Sequence, residues 1–192
     1  ELEEALIAAG GVGGMVRTMD EWARHPQGIA VASLPLMEIM RIGDSPPQPL
    51  REAQRPLAGV RVLDLTRVIA GPTCARALAE HGADVMKISA AHLPSLGRQE
   101  LDTGHGKLSA YLDLRTAKDT EILRGLVRNA DVFSQGYRPG TLGGRGFAPE
   151  ALAQLRPGIV VVTLSAFGHV GPWASRRGFD TVVQTVSGIT TR

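Results

Sequence analysis

Five side chains in this sequence are suited to meeting a phosphorylated, aromatic ligand: Arg67, Tyr137, Arg138, His169 and Trp173. Guanidinium groups bind phosphate through charge-assisted, often paired hydrogen bonds, and cations and aromatic faces attract one another. All five fall in turns that follow stretches of strand character: Arg67–Pro72, "SQGYRPG" at 134–140 and "SAFGHVGPW" at 165–173. Open α/β sheets bind ligands outside the carboxyl ends of their strands, so the set is coherent if those strands share a sheet. Spacing alone leaves a second reading open, in which Arg67 and Arg138 are solvated loop charges.

Other chemistries find less support. His25, His81, His92, His105 and His169 have no metal-ligand spacing, and no paired carboxylates suggest glycosidase or two-metal chemistry. Ser165 follows a strand without a nucleophile-elbow pattern around it. The stretch "GVRVLDLTRVIAGP" at 59–72 opens like a dinucleotide site, yet its turn has one glycine, Gly71, followed by a proline that removes a donor. The second strand ends in Lys87-Ile88-Ser89, with no carboxylate for a ribose. Neither NAD nor a metal is expected. The helix start after Arg67 still offers unpaired N–H groups and the positive end of a dipole.

Periodicity gives the elements that would position these groups. Strands are predicted over 60–65, 84–89, 109–114, 131–135 and 158–165. Helices are predicted over 72–82, from Thr116–Asp119 to about Asn129, over 149–155 and from 180. Pro72 suits a first helical turn and Gly82 a C-terminal cap. Alternating strands and helices, with strands apolar enough for burial on both faces, predict an α/β fold: a Rossmann-like, doubly wound, mainly parallel sheet. Before it lie a helix over 1–9, a capping box at Thr18 and Glu21, and an inward Trp22. The segment "GDSPPQPLREAQRP" reads as a linker.

The bulk composition is that of a soluble globular chain: 192 residues, 43% apolar, 21% charged. Only 4% is aromatic, so the core is built from Val, Leu, Ile and Ala. A formal charge of +2 without a basic stripe argues against nucleic acid. No window reaches the ~20 apolar residues of a membrane span, and no signal peptide opens the chain; a cytoplasmic protein is expected. The lone Cys74, among small apolar neighbours, is expected to be a buried thiol. The chain opens without Met and stops after an apolar helix-like run, so both ends look cut.

Five motifs in order resemble the family III CoA-transferases, the group of formyl-CoA transferase and carnitine CoA-transferase. They are "RPLAGVRVLDLTRVIAGPTCARALAEHGADVMKI", "GKLSAYLDL", "ADVFSQGYRPGTLGGRGF", "RPGIVVVTLSAFGHVGPWA" and "RRGFDTVVQTVSG". The resemblance covers 56–192. Residues 1–43, with "AAGGVGGMVRTMDEWARHPQ", resemble the C-terminal part of ordinary members, expected to pack on the large domain. The implied arrangement is a fusion junction: that segment, a proline-rich linker at 44–56, and a CoA-binding large domain at 57–192.

The resemblance implies coenzyme A, as acyl-CoA, for the ligand and a carboxylic acid for the second substrate. It places Arg67, Val68, Ile69 and Ala70 beside adenine and pantetheine, Tyr137 facing the nucleotide, and Lys107 and Arg177 near phosphates. The implied reaction runs through a nucleophilic aspartate that lies beyond residue 192, and the implied assembly is an interlocked homodimer. Several positions depart from the pattern: Ser89 and Ala90 replace an acidic residue and an arginine, and Leu108 replaces an arginine. Gly144 stands where an arginine is usual, with Arg145 adjacent. The altered positions leave a second reading open, a non-catalytic CoA-binding or assembly module of a fused transferase-like protein. A racemase branch uses a histidine where this chain has Phe179, which cannot exchange a proton.

Overall fold

The structure, a computed structural model, describes residues 1–49 and 52–191. Residues 50 and 51 of the expected linker lie outside the described residues. In chain order come α1 (Leu2–Ala8), α2 (Met19–Arg24), α3 (Pro26–Ala32), β1 (Arg61–Leu65), α4 (Ala70–Glu80), β2 (Asp84–Ser89) and α5 (Arg98–Thr103). Then follow β3 (Lys107–Tyr111), α6 (Ala117–Val127), β4 (Val132–Gln135), α7 (Pro149–Leu155), β5 (Val160–Thr163) and α8 (Asp180–Val186). Two compact units result: Arg41–Leu164, and Glu1–Met40 together with Ser165–Arg192.

The first unit holds a five-stranded sheet in the order β3-β2-β1-β4-β5, with every pairing parallel. β1 lies at its centre, and Val62, Leu63, Asp64 and Leu65 are all buried, as a strand covered on both faces requires. One face carries Val62 and Val85 against Ala75 and Ala79 of α4. The other carries Leu63, Leu65, Ile88 and Phe133 against Leu123 and Val127 of α6 and Leu152 of α7. Full burial of one such Leu or Val contributes about 1.5–3 kcal/mol.

Small residues let α4 approach the sheet. A Cβ on Gly71 would stand 2.3 Å from the Cβ of Thr66, so no larger residue fits there without a shift. Gly82 follows the helix at φ 102°, the left-handed conformation the sequence predicts for its cap. Thr116 caps α6, accepting the Asp119 N–H at 3.2 Å.

The second unit joins the two ends of the chain. Thr18 and Glu21 form the expected capping box on α2. Trp22 packs with Phe167, Trp173 and Val186. The fully buried Gln27 donates to the carbonyls of Phe167 (2.7 Å) and Val170 (2.8 Å) and accepts from the Trp173 N–H (2.6 Å). One side chain thus satisfies three backbone groups of the 165–173 loop.

Three expectations need correction. β3 runs over 107–111 rather than 109–114, because pairing Lys107 with Val85 sets its register. The sequence does not predict the helix α5; in "RQELDT" the single apolar residue, Leu101, makes no apolar period. Cys74 is exposed. The buried stripe of α4 runs through Gly71, Pro72, Ala75 and Ala79, and Cys74 falls off it.

Candidate functional site

From β1 the strand order runs one way through β2 to β3 and the other way through β4 to β5, so it reverses between β1 and β4. Ligands of open α/β sheets lie at that switch, beyond the carboxyl ends of the strands. Two turns meet there: Thr66–Ile69 after β1 and Gly136–Arg138 after β4, brought level by the pairing of Leu65 with Gln135. Arg67, Val68, Ile69, Ala70, Tyr137 and Arg138 therefore come from adjacent strand ends of one unit.

The first turn is unusual in its backbone. Val68 has φ 73°, and among the described residues it alone takes a left-handed conformation without being glycine. For a β-branched residue this is a strained state. Ile69, the N-cap of α4, is 46% exposed, and no side chain caps the helix. The dipole end of an 11-residue helix therefore has no side-chain cap. With Pro72 lacking an N–H, its first-turn donors are the amides of Ala70 and the buried Gly71.

Arg67 is half-buried and donates through Nη2 to the Pro94 carbonyl at 2.5 Å, tying the first turn to the loop after β2. Tyr137 is also half-buried and packs on the main core, its N–H donating to Gln135 Oε1 at 2.8 Å. Burial raises its phenol above the ordinary tyrosine range, opposed by the charges of Arg67 and Arg145 nearby. Tyr137 is therefore a neutral, amphipathic surface bordered by two guanidiniums. Arg138 is exposed, and Arg145 reaches the Leu114 carbonyl at 2.5 Å.

Lys107 differs from the phosphate contact expected of it. Its side chain is 2% exposed; Nζ donates to Asp64 Oδ2 and to the Pro72 carbonyl, both at 2.8 Å. Asp64 is fully buried, and its Oδ1 accepts the Thr66 N–H at 3.0 Å and the Thr66 hydroxyl. Asp64 thus caps the end of β1 through Thr66, and its ion-pair partner Lys107 is not evident from spacing in the sequence. The available signal was a carboxylate inside the run Val62–Leu65, which burial obliges to find a cation.

Arg177 lies in the other unit, exposed, donating to the Gly10 carbonyl at 3.4 Å. Trp173 belongs to that unit too and is buried, with Arg176 4.2 Å and Arg17 5.2 Å from its ring. Its ring is engaged by protein cations, which corrects the expectation that it meets an aromatic ligand. His169 pairs with Glu38 at 3.4 Å.

A cleft of about 590 Å³ opens along the β3 edge beside α5, bordered by Lys87, Ser89, Arg98, Ser109 and Tyr111. Within it Lys87 meets Glu100 at 3.3 Å. None of the first-turn residues lines it. No cluster of three or more metal-ligating side chains occurs among the described residues. No helix among them is long and apolar enough to cross a membrane.

Residues 57–192 match the family described as CoA-transferase family III. An acetyl-coenzyme A transferase, nodX, of Hypoxylon pulicicidum is 38% identical over 142 residues, 72% of this chain and 24% of that protein. An acyl-CoA transferase of Gibberella moniliformis is 33% identical over 198 residues, covering 98% of this chain and 35% of its own length. That match takes in most of the segment before residue 57, in the same order. A crystal structure of Rv3272 from Mycobacterium tuberculosis superposes with a TM-score of 0.67 at 35% identity, over 73% of this chain and 42% of that one. The chain thus spans well under half the length of each of these proteins. With the family match over 57–192 and the superposition on a related crystal structure, the chain belongs to CoA-transferase family III.

Proposed function

We propose that the whole protein moves CoA from an acyl-CoA thioester to a free carboxylic acid, and that this chain supplies the surface on which CoA lies. One observation carries the reading: Arg67–Ala70 and Tyr137–Arg138 meet at the strand-order reversal, beside an uncapped helix N-terminus. The amides suit oxyanions of the ligand, Arg67 and Arg138 suit its phosphates, and the neutral Tyr137 ring suits its nucleotide. Names of relatives such as the human succinyl-CoA:glutarate CoA-transferase, 32% identical over 147 residues, agree with the reaction class.

In this reading an aspartate outside residues 1–192 attacks the thioester carbonyl. The C–S bond breaks, CoA leaves as thiolate, and a mixed anhydride forms. The thiolate then attacks the aspartyl carbonyl, giving an aspartyl thioester and the donor acid. The incoming carboxylate attacks that thioester and again expels the thiolate. Attack of the thiolate on the new acyl group yields the product and frees the aspartate. Nucleophilic carboxylates of this kind need positioning and oxyanion donors. The chain's own Asp64 and Asp113 are committed to Lys107 and Arg115.

The test is calorimetric titration of this chain with CoA, with NADH as the matched control. Saturable CoA binding without NADH binding is expected. Arg67→Ala or Tyr137→Ala should weaken it roughly tenfold, as loss of one charge-assisted or stacking contact does. Equal binding of both nucleotides would sink the assignment. The 192-residue chain alone is expected to show no acyl-CoA:carboxylate transfer, and detectable turnover would refute that.

A further inference from the structure

We propose that Asp64 and Lys107 are positioning residues of the CoA site, their buried ion pair clamping the Thr66–Pro72 turn in the shape that receives the ligand. The inference rests on the CoA reading above. Its ground is where the pair is anchored. Asp64 Oδ1 holds the Thr66 N–H and hydroxyl, the start of the turn. Lys107 Nζ holds the Pro72 carbonyl, in the first turn of α4, at 2.8 Å. The bond from Nζ to Asp64 Oδ2, also 2.8 Å, closes the link between the two anchors.

Between those anchors lies Val68 at φ 73°. A strained backbone of this kind persists only where its surroundings over-determine it. The ion pair is 2% and 0% exposed, and a buried pair is weak evidence for stability, since apolar residues of like volume serve as well. What an apolar pair cannot do is hold a carbonyl, an N–H and a hydroxyl at fixed places. Lys107 thus acts on the ligand through the turn, with its charge spent inside the protein rather than on a phosphate.

Either single variant strands a buried charge, so the double variant Asp64→Asn/Lys107→Met, which removes both charges, carries the test. Two readouts are taken: the Val68 carbon chemical shifts, which report the left-handed backbone, and CoA affinity by calorimetry at low and high salt. Amide protection of Val62–Leu65 serves as the control that the sheet is intact. The expected result is a protected sheet, Val68 shifts moved to ordinary extended or helical values, and CoA affinity reduced about tenfold at both salt concentrations. A tenfold loss corresponds to a turn in its competent shape roughly a tenth of the time.

Unchanged Val68 shifts overturn the clamp. So does unchanged affinity with shifted resonances, because the turn would then not be what CoA reads. A loss of affinity that shrinks at high salt marks a direct phosphate contact by Lys107 and also overturns it. The wild-type isotherm separates the two claims. No binding there sinks the CoA reading and this inference with it, whereas binding that the double variant retains sinks this inference alone.

Discussion

Val68 joins a branched side chain to φ 73°, a combination that costs on the order of 1–3 kcal/mol. Glycine takes the same backbone freely and gives back roughly 0.5–1 kcal/mol through the entropy of the unfolded chain. Val68→Gly is therefore expected to stabilise the protein by about 1 kcal/mol, read as a raised urea midpoint. A lowered midpoint would show that side-chain contacts of Val68 outweigh the strain. At this scale the sequence disclosed residue types but not partners. Arg67 and Tyr137 follow strands by direct reading, whereas Lys107 and Asp64 are far apart in the chain and meet only through the β1–β2–β3 pairing. Cys74 failed for a related reason: its neighbours in sequence are apolar, but its direction on α4 is set by which face meets the sheet.

Among the elements, those with an apolar period or a cap were legible in place. β2 and α7 have the bounds the sequence predicts, and Thr18 and Thr116 start their helices as expected. What escaped was decided by contact across the fold. β3 is an edge strand with Leu108 and Tyr111 exposed, so its own pattern is weak and its register is imposed by β2. α3 is short and unremarkable in sequence, yet its Gln27 holds three backbone groups of the 165–173 loop. Gln27→Leu keeps the volume and strands two carbonyls and one N–H. At about 1–3 kcal/mol for each unsatisfied buried group, the loss is expected to be roughly 3 kcal/mol or more. Urea denaturation followed by tryptophan fluorescence measures it, and a loss below about 1 kcal/mol would show that the loop finds other partners.

For the molecule as a whole, the two units differ in where their titrating groups and tryptophans lie. Trp22 and Trp173 both belong to the unit built from the chain ends, so intrinsic tryptophan fluorescence follows that unit. His25 sits in it against Trp173, and burial first, then Arg17, holds its imidazole below the ordinary 6.5. A lowered histidine gives stability that is present above 6.5 and lost as pH falls toward the folded value. Glu3 lies in the same unit, held below its ordinary 4.5 chiefly by the Arg17 hydrogen bond, and its contribution is lost as pH falls below 4.5. The urea midpoint seen by tryptophan is therefore expected to fall in two stages on acidification, first below pH 6.5 and again below pH 4.5. His25→Gln should remove the first stage; a first stage that persists in that variant would assign it to another group.

The joining of residues 1–40 with 165–192 also orders events during synthesis. Seen along the chain, the sheet unit is an uninterrupted insertion between two halves of the other. At ~5–20 residues per second, residues 1–40 leave the ribosome on the order of ten seconds before Trp173 and the loop that Gln27 grips. The sheet unit is a single stretch, 41–164, so all five of its strands are made in that interval. Trp22 and Gln27 are thus made well before the residues that bury them in this fold.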